Sequence, residues 1–214
     1  MEAREGEGKR EARKRATRRA LHEAAMELFA ERGYQETTVA EIAVAAGVSP
    51  RTFFSYFSTK EAVIFARVDE SLDLLVEQLA DRPADQDTLT CLREWLAFIT
   101  EVDPAGQDAW ARLVDALARA HDSIAAYGVR QLDRIGHMLA ASLKEEFGGR
   151  GHPTLPRITA AAAVAAVAAS MPFGGLGVPG SDELPWADRD PVADLDLAIS
   201  FVRAGVEASA PELG

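Results

Sequence analysis

The sequence predicts an all-α protein of about nine helices, and three features lead there. Within residues 37–60 a reciprocal N-cap, a glycine stop and a Ser-Pro start spell two short helices around a tight turn. Apolar residues recur every three or four positions along one segment after another, the spacing of a buried helical stripe. Gly and Pro punctuate those segments, at Gly33, Pro83, Gly148 and throughout residues 172–191.

Residues 1–12 are charged, contain glycine and lack periodicity, so they read as a mobile basic arm. A first helix is predicted over residues 13–32. Leu21, Ala24, Ala25, Leu28 and Phe29 share one face, Gly33 ends it, and Tyr34 packs behind the stop. His22 reads as a partly exposed helix residue rather than a ligand. The second helix starts at Val39, because the Thr38 hydroxyl can accept from the amide three residues on while Glu41 reaches back. Val39, Ile42, Ala43 and Ala46 form its buried stripe. Gly47 stops it, since glycine takes a left-handed conformation without a Cβ clash, and Val48 is expected to plug the core below. Ser49 caps a third helix, and Pro50 opens it where no amide hydrogen is needed. That helix runs to about Phe57.

Two short helices around a glycine turn match a helix-turn-helix, whose second helix presents its early residues to base edges in the major groove. The spacing by itself equally fits a helical hairpin of an all-α core. The residues carry more than the spacing. The order T-T-V-x-x-I-A-x-x-A-G-V-S-x-x-T-F-F-x-Y-F-x-x-K, preceded by A-A-x-x-L-F-A-E-R-G-Y, closely resembles the N-terminal domain of the tetracycline-repressor (TetR) family over about residues 13–68. The resemblance implies a helix-turn-helix DNA-binding domain of three helices over residues 13–60. Behind it, over residues 61–214, a helical ligand-binding and dimerisation domain is expected.

Arg51, Thr52 and Ser55 project from the early turns of the third helix and are candidates for base edges or nearby phosphates; an arginine can pair with guanine through two hydrogen bonds. Arg18, from the basic run, and the cap residues Thr38 and Ser49 complete this set with three residues that the resemblance adds. At Phe54 the family commonly has Tyr; without the hydroxyl, this ring can offer only apolar contact, such as a thymine methyl. Tyr56 keeps its phenol at a position that often touches the DNA backbone. Lys60 aligns with the family's lysine at the start of helix four, where its charge would add to exposed amides in holding a phosphate. Phe53 and Phe57, four apart, are expected in the core.

Charge fits that polarity. The chain carries a net −11, yet residues 1–69 hold 12 Lys/Arg against 11 Asp/Glu, and residues 70–214 hold 11 against 23. Seven basic residues between Lys9 and Arg19 are opposed only by Glu11. The acidic part would be repelled by DNA and the basic part drawn to it. With Cys91 the single cysteine, no intrachain disulfide can form, and no Cys/His cluster suggests zinc. A reducing cytoplasm fits, and the longest apolar stretch, residues 158–171, is too short and alanine-rich to span a membrane.

Helix four is predicted from Ser58 or Thr59 to about residue 80, with Val63, Ile64, Val68, Leu72, Leu75 and Leu79 inward. Arg82-Pro83 ends it. Helices are then expected over residues 88–101, 104–120 and 122–147, the last closed by Gly148. Trp95, Phe98, Trp110, Tyr127, Gln131 and Met138 along them are the candidate effector-site residues. Aromatics at helical spacing serve equally well as plain core, but Trp95, Trp110 and Tyr127 each join an apolar body to a polar handle, which suits a pocket wall. Arg119, His121, Arg134 and His137 could add polar contacts. Nothing calls for a metal or cofactor, and the acidic surroundings favour a neutral or cationic apolar effector.

An alanine-rich helix is expected over residues 157–171, then a loop over residues 172–191 anchored by Phe173, Leu176 and Trp186, then a final helix over residues 192–208. Two terminal helices with apolar faces imply self-association. In the TetR family the last two helices pair with their two-fold mates as a four-helix bundle, which implies a homodimer on a roughly palindromic double-stranded operator. The expected function is a transcriptional regulator, a repressor released by a small apolar effector. A ligand-independent dimeric DNA-binding regulator and an activator stay open as alternatives. An enzyme is not expected, because no phosphate loop, nucleophile elbow or metal cluster appears.

Overall fold

The computed structural model describes residues 2–83, 85–101, 104–149, 152–170 and 190–209. Among them run ten helices: α1 (Glu2–Arg32), α2 (Val39–Ala45), α3 (Pro50–Tyr56), α4 (Lys60–Ile64), α5 (Ala66–Ala80), α6 (Thr88–Glu101), α7 (Pro104–Ala120), α8 (Asp122–Phe147), α9 (Leu155–Ser170) and α10 (Pro191–Ser209). The all-α expectation holds. The expected loop anchors Phe173, Leu176 and Trp186 lie outside the described residues.

The chain divides into two compact units, residues 1–68 and 69–214. In the first, Leu21, Ala25 and Phe29 of α1, Ile42 and Ala43 of α2, Phe53 of α3 and Phe57 at its C-terminal cap are all buried. Each large apolar side chain hidden this way contributes about 1.5–3 kcal/mol. Gly33 and Gly47 sit at φ of +86° and +69°, the left-handed geometry their stops require.

Four sequence expectations change. The basic arm is not separate, because α1 begins at Glu2 rather than near residue 13. Its early residues are mostly Glu, Arg, Lys and Ala, good helix formers that need no apolar stripe when solvated; Lys14 lies 3.9 Å from Glu11 one turn back. Helix four is broken at Phe65, where φ and ψ are −91° and 13°, giving α4 and α5 and raising the helix number to ten. Residues 62–66 are all buried, more than one face of a continuous helix can hide. The same burial moves the boundary from residue 60 to residue 68, because α4 belongs to the first core. His22 is buried, with Nδ1 2.8 Å from the Val63 carbonyl, so it joins α1 to α4 instead of facing solvent.

In the second unit, Leu92, Trp95 and Leu96 of α6, Val114 of α7, and Ile124, Ile135 and Leu139 of α8 are buried. The helix α9 packs against both α8 and α10, and Ala160, Ala163 and Ala168 are buried in it, small residues that permit close approach. Leu195, Ile199 and Val202 form the buried stripe of α10 against α9 and α6. Polar ties fix its register. Arg93 of α6 grips Asp196 at 2.5 and 2.9 Å, and Arg203 reaches both oxygens of Asp87 at 2.8 and 2.7 Å. A polar cluster joins Arg82, Thr88, Ser142 and Glu146, with the Thr88 hydroxyl donating to Glu146 at 2.6 Å and the Arg82 guanidinium hydrogen-bonded to Ser142. No described helix is long and apolar enough to cross a membrane.

Candidate nucleic-acid interface

The helix-turn-helix is set by two local caps. The Thr38 amide donates to Glu41 Oε2 at 2.8 Å, and the Glu41 amide donates to Thr38 Oγ1 at 3.2 Å, completing the reciprocal box. Those bonds hold the Glu41 carboxyl below its ordinary range, the backbone hydrogen bond from Thr38 contributing most. At the start of α3, Ser49 Oγ accepts from the Thr52 amide at 3.1 Å and lies 2.8 Å from the Thr52 hydroxyl. Between them the Val48 amide donates to the Ala43 carbonyl at 2.9 Å, which closes the turn and aims α3.

With α3 fixed, its two faces separate. Phe53 is fully buried and packs against Phe57 with ring centroids 5.6 Å apart and planes tilted by 47°. Arg51, Phe54 and Ser55 are exposed on the other side, Phe54 by 59%. The Ser55 hydroxyl donates to the Arg51 carbonyl at 3.2 Å, leaving its lone pairs for an outside donor. The exposed face of α3 therefore combines a guanidinium, a hydroxyl and a bare phenyl ring, a set that can meet base-edge acceptors and donors and the thymine methyl. Thr52 and Tyr56 are half-buried at its margins.

Two other candidates turn inward. Arg18 lays its guanidinium over the Phe57 ring, 4.6 Å from the centroid, and donates to the carbonyls of Tyr56 at 3.4 Å and Ala66 at 3.5 Å. The Lys60 ammonium donates to the carbonyls of Tyr34 at 2.6 Å and Thr37 at 2.9 Å and lies 3.9 Å from the centroid of the Tyr34 ring. Burial lowers its pKa from the ordinary lysine value, with the Glu61 charge opposing that shift. Two of its three N–H donors are committed to the chain connecting α1 and α2. That same connection is held by Thr37, whose hydroxyl donates to the Gly33 carbonyl at 2.8 Å, and by Tyr34, which donates to Glu61 at 2.7 Å. The sequence reading missed this clasp, which is visible only as a Tyr and a Thr shortly after a glycine stop.

The candidate effector residues scatter by role. Trp95, Trp110 and Gln131 are buried in the second unit, where the Trp95 indole donates to the Ser71 carbonyl at 2.6 Å and Gln131 accepts from Arg134 at 3.0 Å. Phe98 is half exposed, Met138 half-buried, and the half-buried Tyr127 donates to Asp69 at 3.4 Å beneath the Arg130 guanidinium. Of the additional polar candidates, Arg119 pairs with Asp115, Arg134 with Asp69, and His137 approaches Asp133 at 3.4 Å. Two cavities of the second unit, about 510 and 190 Å³, are lined by none of the six. Among the described residues no cluster of three or more metal-ligating side chains occurs.

Residues 21–66, from the α1 stripe to the first residue of α5, match the family model described as "Bacterial regulatory proteins, tetR family". Residues 21–66 thus form a TetR-family DNA-binding domain. It is similar to the HTH-type transcriptional regulator TcmR of Streptomyces glaucescens, with 39% identity over 87 residues, covering 41% of this chain and 38% of that protein. It also resembles the HTH-type transcriptional regulator EthR of Mycobacterium tuberculosis strain H37Rv, with 34% identity over 98 residues, 41% of this chain and 45% of that one. The matches thus span less than half the length of these relatives. Among solved structures, Thermus thermophilus FadR, a TetR-family transcriptional repressor crystallised with lauroyl-CoA, superposes with a TM-score of 0.55 at 26% identity, over 88% of this chain and 94% of that one. The relatives matched are named as HTH-type transcriptional regulators, and the capped α2–turn–α3 unit lies within the residues that the family model matches.

Proposed function

We propose that the protein is a cytoplasmic homodimeric repressor that lays α3 in the major groove of a roughly palindromic operator and leaves it when a small apolar effector binds the second unit. The observation that carries the DNA half is the exposed face of α3, with Arg51, Phe54 and Ser55 outward and Phe53 and Phe57 anchoring the opposite side. On this reading Arg51 and Ser55 meet base edges and Phe54 a thymine methyl. Thr38, Ser49, Thr52 and Tyr56 sit against the sugar-phosphate backbone, where positioning contacts belong. Arg18 and Lys60 act mainly by bracing the unit, Lys60 offering its third N–H to a phosphate.

The dimer half rests on α9 and α10. Leu197 and Phe201, one turn apart on α10 and opposite its buried stripe, are 75% and 80% exposed, and Ile158 of α9 is 61% exposed. Those helices would pair with their two-fold mates, presenting two copies of α3 to half-sites about one helical turn apart. A second reading, a ligand-independent dimeric regulator, draws support from Trp95, Trp110 and Gln131, which fill the interior expected to hold an effector. The test is fluorescence anisotropy on DNA from the protein's own promoter region at low ionic strength, with mass measured by sedimentation. A dimer that shifts that DNA and is competed only weakly by random duplex is expected; a monomer indifferent to it would overturn the proposal.

A further inference from the structure

A niche of about 190 Å³ lies in the second unit, walled by Leu89 of α6, Leu143 and Phe147 of α8 and Val206 of α10. Thr159 of α9 completes the wall and is 2% exposed. Its Oγ1 is the only fully buried side-chain polar atom without a hydrogen-bond partner among the described residues. A buried hydroxyl left unpaired is unfavourable, and native structures seldom keep one without a reason. A threonine on a helix has two accessible χ1 wells, so this hydroxyl can turn toward the niche.

The rim selects by charge. Asp87, Glu146 and Glu207 line it against a single cation, Arg203. Asp87 is already taken up by Arg203, and Glu146 accepts from the Thr88 amide at 2.8 Å and hydroxyl at 2.6 Å. The carboxylate excess repels anions, while the walls are apolar. At about 30 Å³ per water the space equals about six waters, the size of one small ring compound.

We propose that this niche binds a small neutral aromatic molecule carrying one hydroxyl or N–H, whose polar group pairs with Thr159 while its ring lies among Leu89, Leu143 and Phe147. The site deepens the effector reading and rests on it only for the consequence at DNA. p-Cresol is the probe and 4-methylbenzoate its anionic counterpart. Calorimetry on the full chain is expected to give saturable p-cresol binding, with 4-methylbenzoate at least tenfold weaker. Thr159→Val removes the hydroxyl at constant shape; p-cresol affinity should fall about tenfold while the thermal midpoint of the free protein holds or rises. Val206→Trp, at the half-buried edge, should abolish binding without loss of fold. Absence of saturable binding to the wild-type protein, unchanged affinity in Thr159→Val, or a fall in that variant's midpoint would each overturn the site. Operator occupancy is read separately by anisotropy. Binding without operator release removes the effector role and keeps the site; release by p-cresol that is unaffected by Thr159→Val removes the site and keeps the effector role.

Discussion

Lys60 and Tyr34 meet twice: the ammonium donates to the Tyr34 carbonyl at 2.6 Å and rests 3.9 Å from the centroid of the same residue's ring. With the Thr37 carbonyl at 2.9 Å, the lysine pins the segment that leads from α1 into the helix-turn-helix. Charge-assisted hydrogen bonds of this kind contribute about 1.5–3 kcal/mol. Lys60→Met, which keeps the apolar stem, should therefore lower the stability of the first unit by about 2 kcal/mol in denaturant titration. Its remaining N–H gives the second readout. The slope of log affinity against log salt should shrink by about 0.9, the share of one phosphate contact on duplex DNA. An unchanged slope with lost stability would assign Lys60 to bracing alone.

The Thr38–Glu41 box predicts a pH dependence with a fixed sign. Hydrogen bonds from Thr38 lower the folded-state pKa of Glu41, so in acid the unfolded chain binds the proton first. Its contribution is fully present above the ordinary glutamate value and is lost as pH falls through the lowered folded value. Glu41→Gln should be less stable than wild type at neutral pH, and the difference should narrow on acidification. Thermal melts of both proteins across the acid range check this; a gap that widens toward low pH would contradict it.

Trp110 is 6% exposed, so it behaves as core. Trp110→Ala should cost about 3–5 kcal/mol, the usual range for removing a buried large aromatic, and should lower the thermal midpoint. A variant that melts like wild type would return Trp110 to the list of effector contacts.

The caps and the glycine stops were legible because their partners lie within four residues: Thr38 with Glu41, Ser49 with Thr52, Gly47 ending α2. Arg18, His22 and Lys60 were not, since their acceptors are carbonyls 38–48, 41 and 23–26 positions away. A cation near DNA-binding helices looks the same in sequence whether it reaches outward or folds back. Periodicity placed α6, α7 and α8 correctly but could not separate Trp95, hydrogen-bonded to the Ser71 carbonyl, from the half-exposed Phe98 three positions on, because that depends on which neighbours close over each face. The break at Phe65 was hidden for a related reason. A run with neither Gly nor Pro to interrupt it carries no signal that residues 62–66 will all be buried.

Arg51 is the exposed cation of α3, so its loss should affect choice of sequence more than general attraction to DNA. Arg51→Ala should weaken operator binding by about 1–3 kcal/mol while non-specific binding changes little, as expected for a base-edge contact. Competition with random duplex measures the ratio directly. Equal losses on both DNAs would move Arg51 to a phosphate.

Leu197 and Phe201 expose an apolar ridge on α10 that Leu195, Ile199 and Val202 hold in place from behind. Because the buried stripe is separate, a change on the ridge should spare the fold and act only on assembly. Leu197→Asp with Phe201→Asp places two carboxylates where the two-fold mate would bring two more, and like charges brought together out of water repel strongly. Sedimentation should show a shift from dimer to monomer with helical content retained. Operator affinity should then fall steeply, because each monomer holds a single α3 and loses the gain of engaging both half-sites at once. If the doubly substituted protein stays dimeric, the pairing surface lies elsewhere, and α9 with its exposed Ile158 becomes the next face to test.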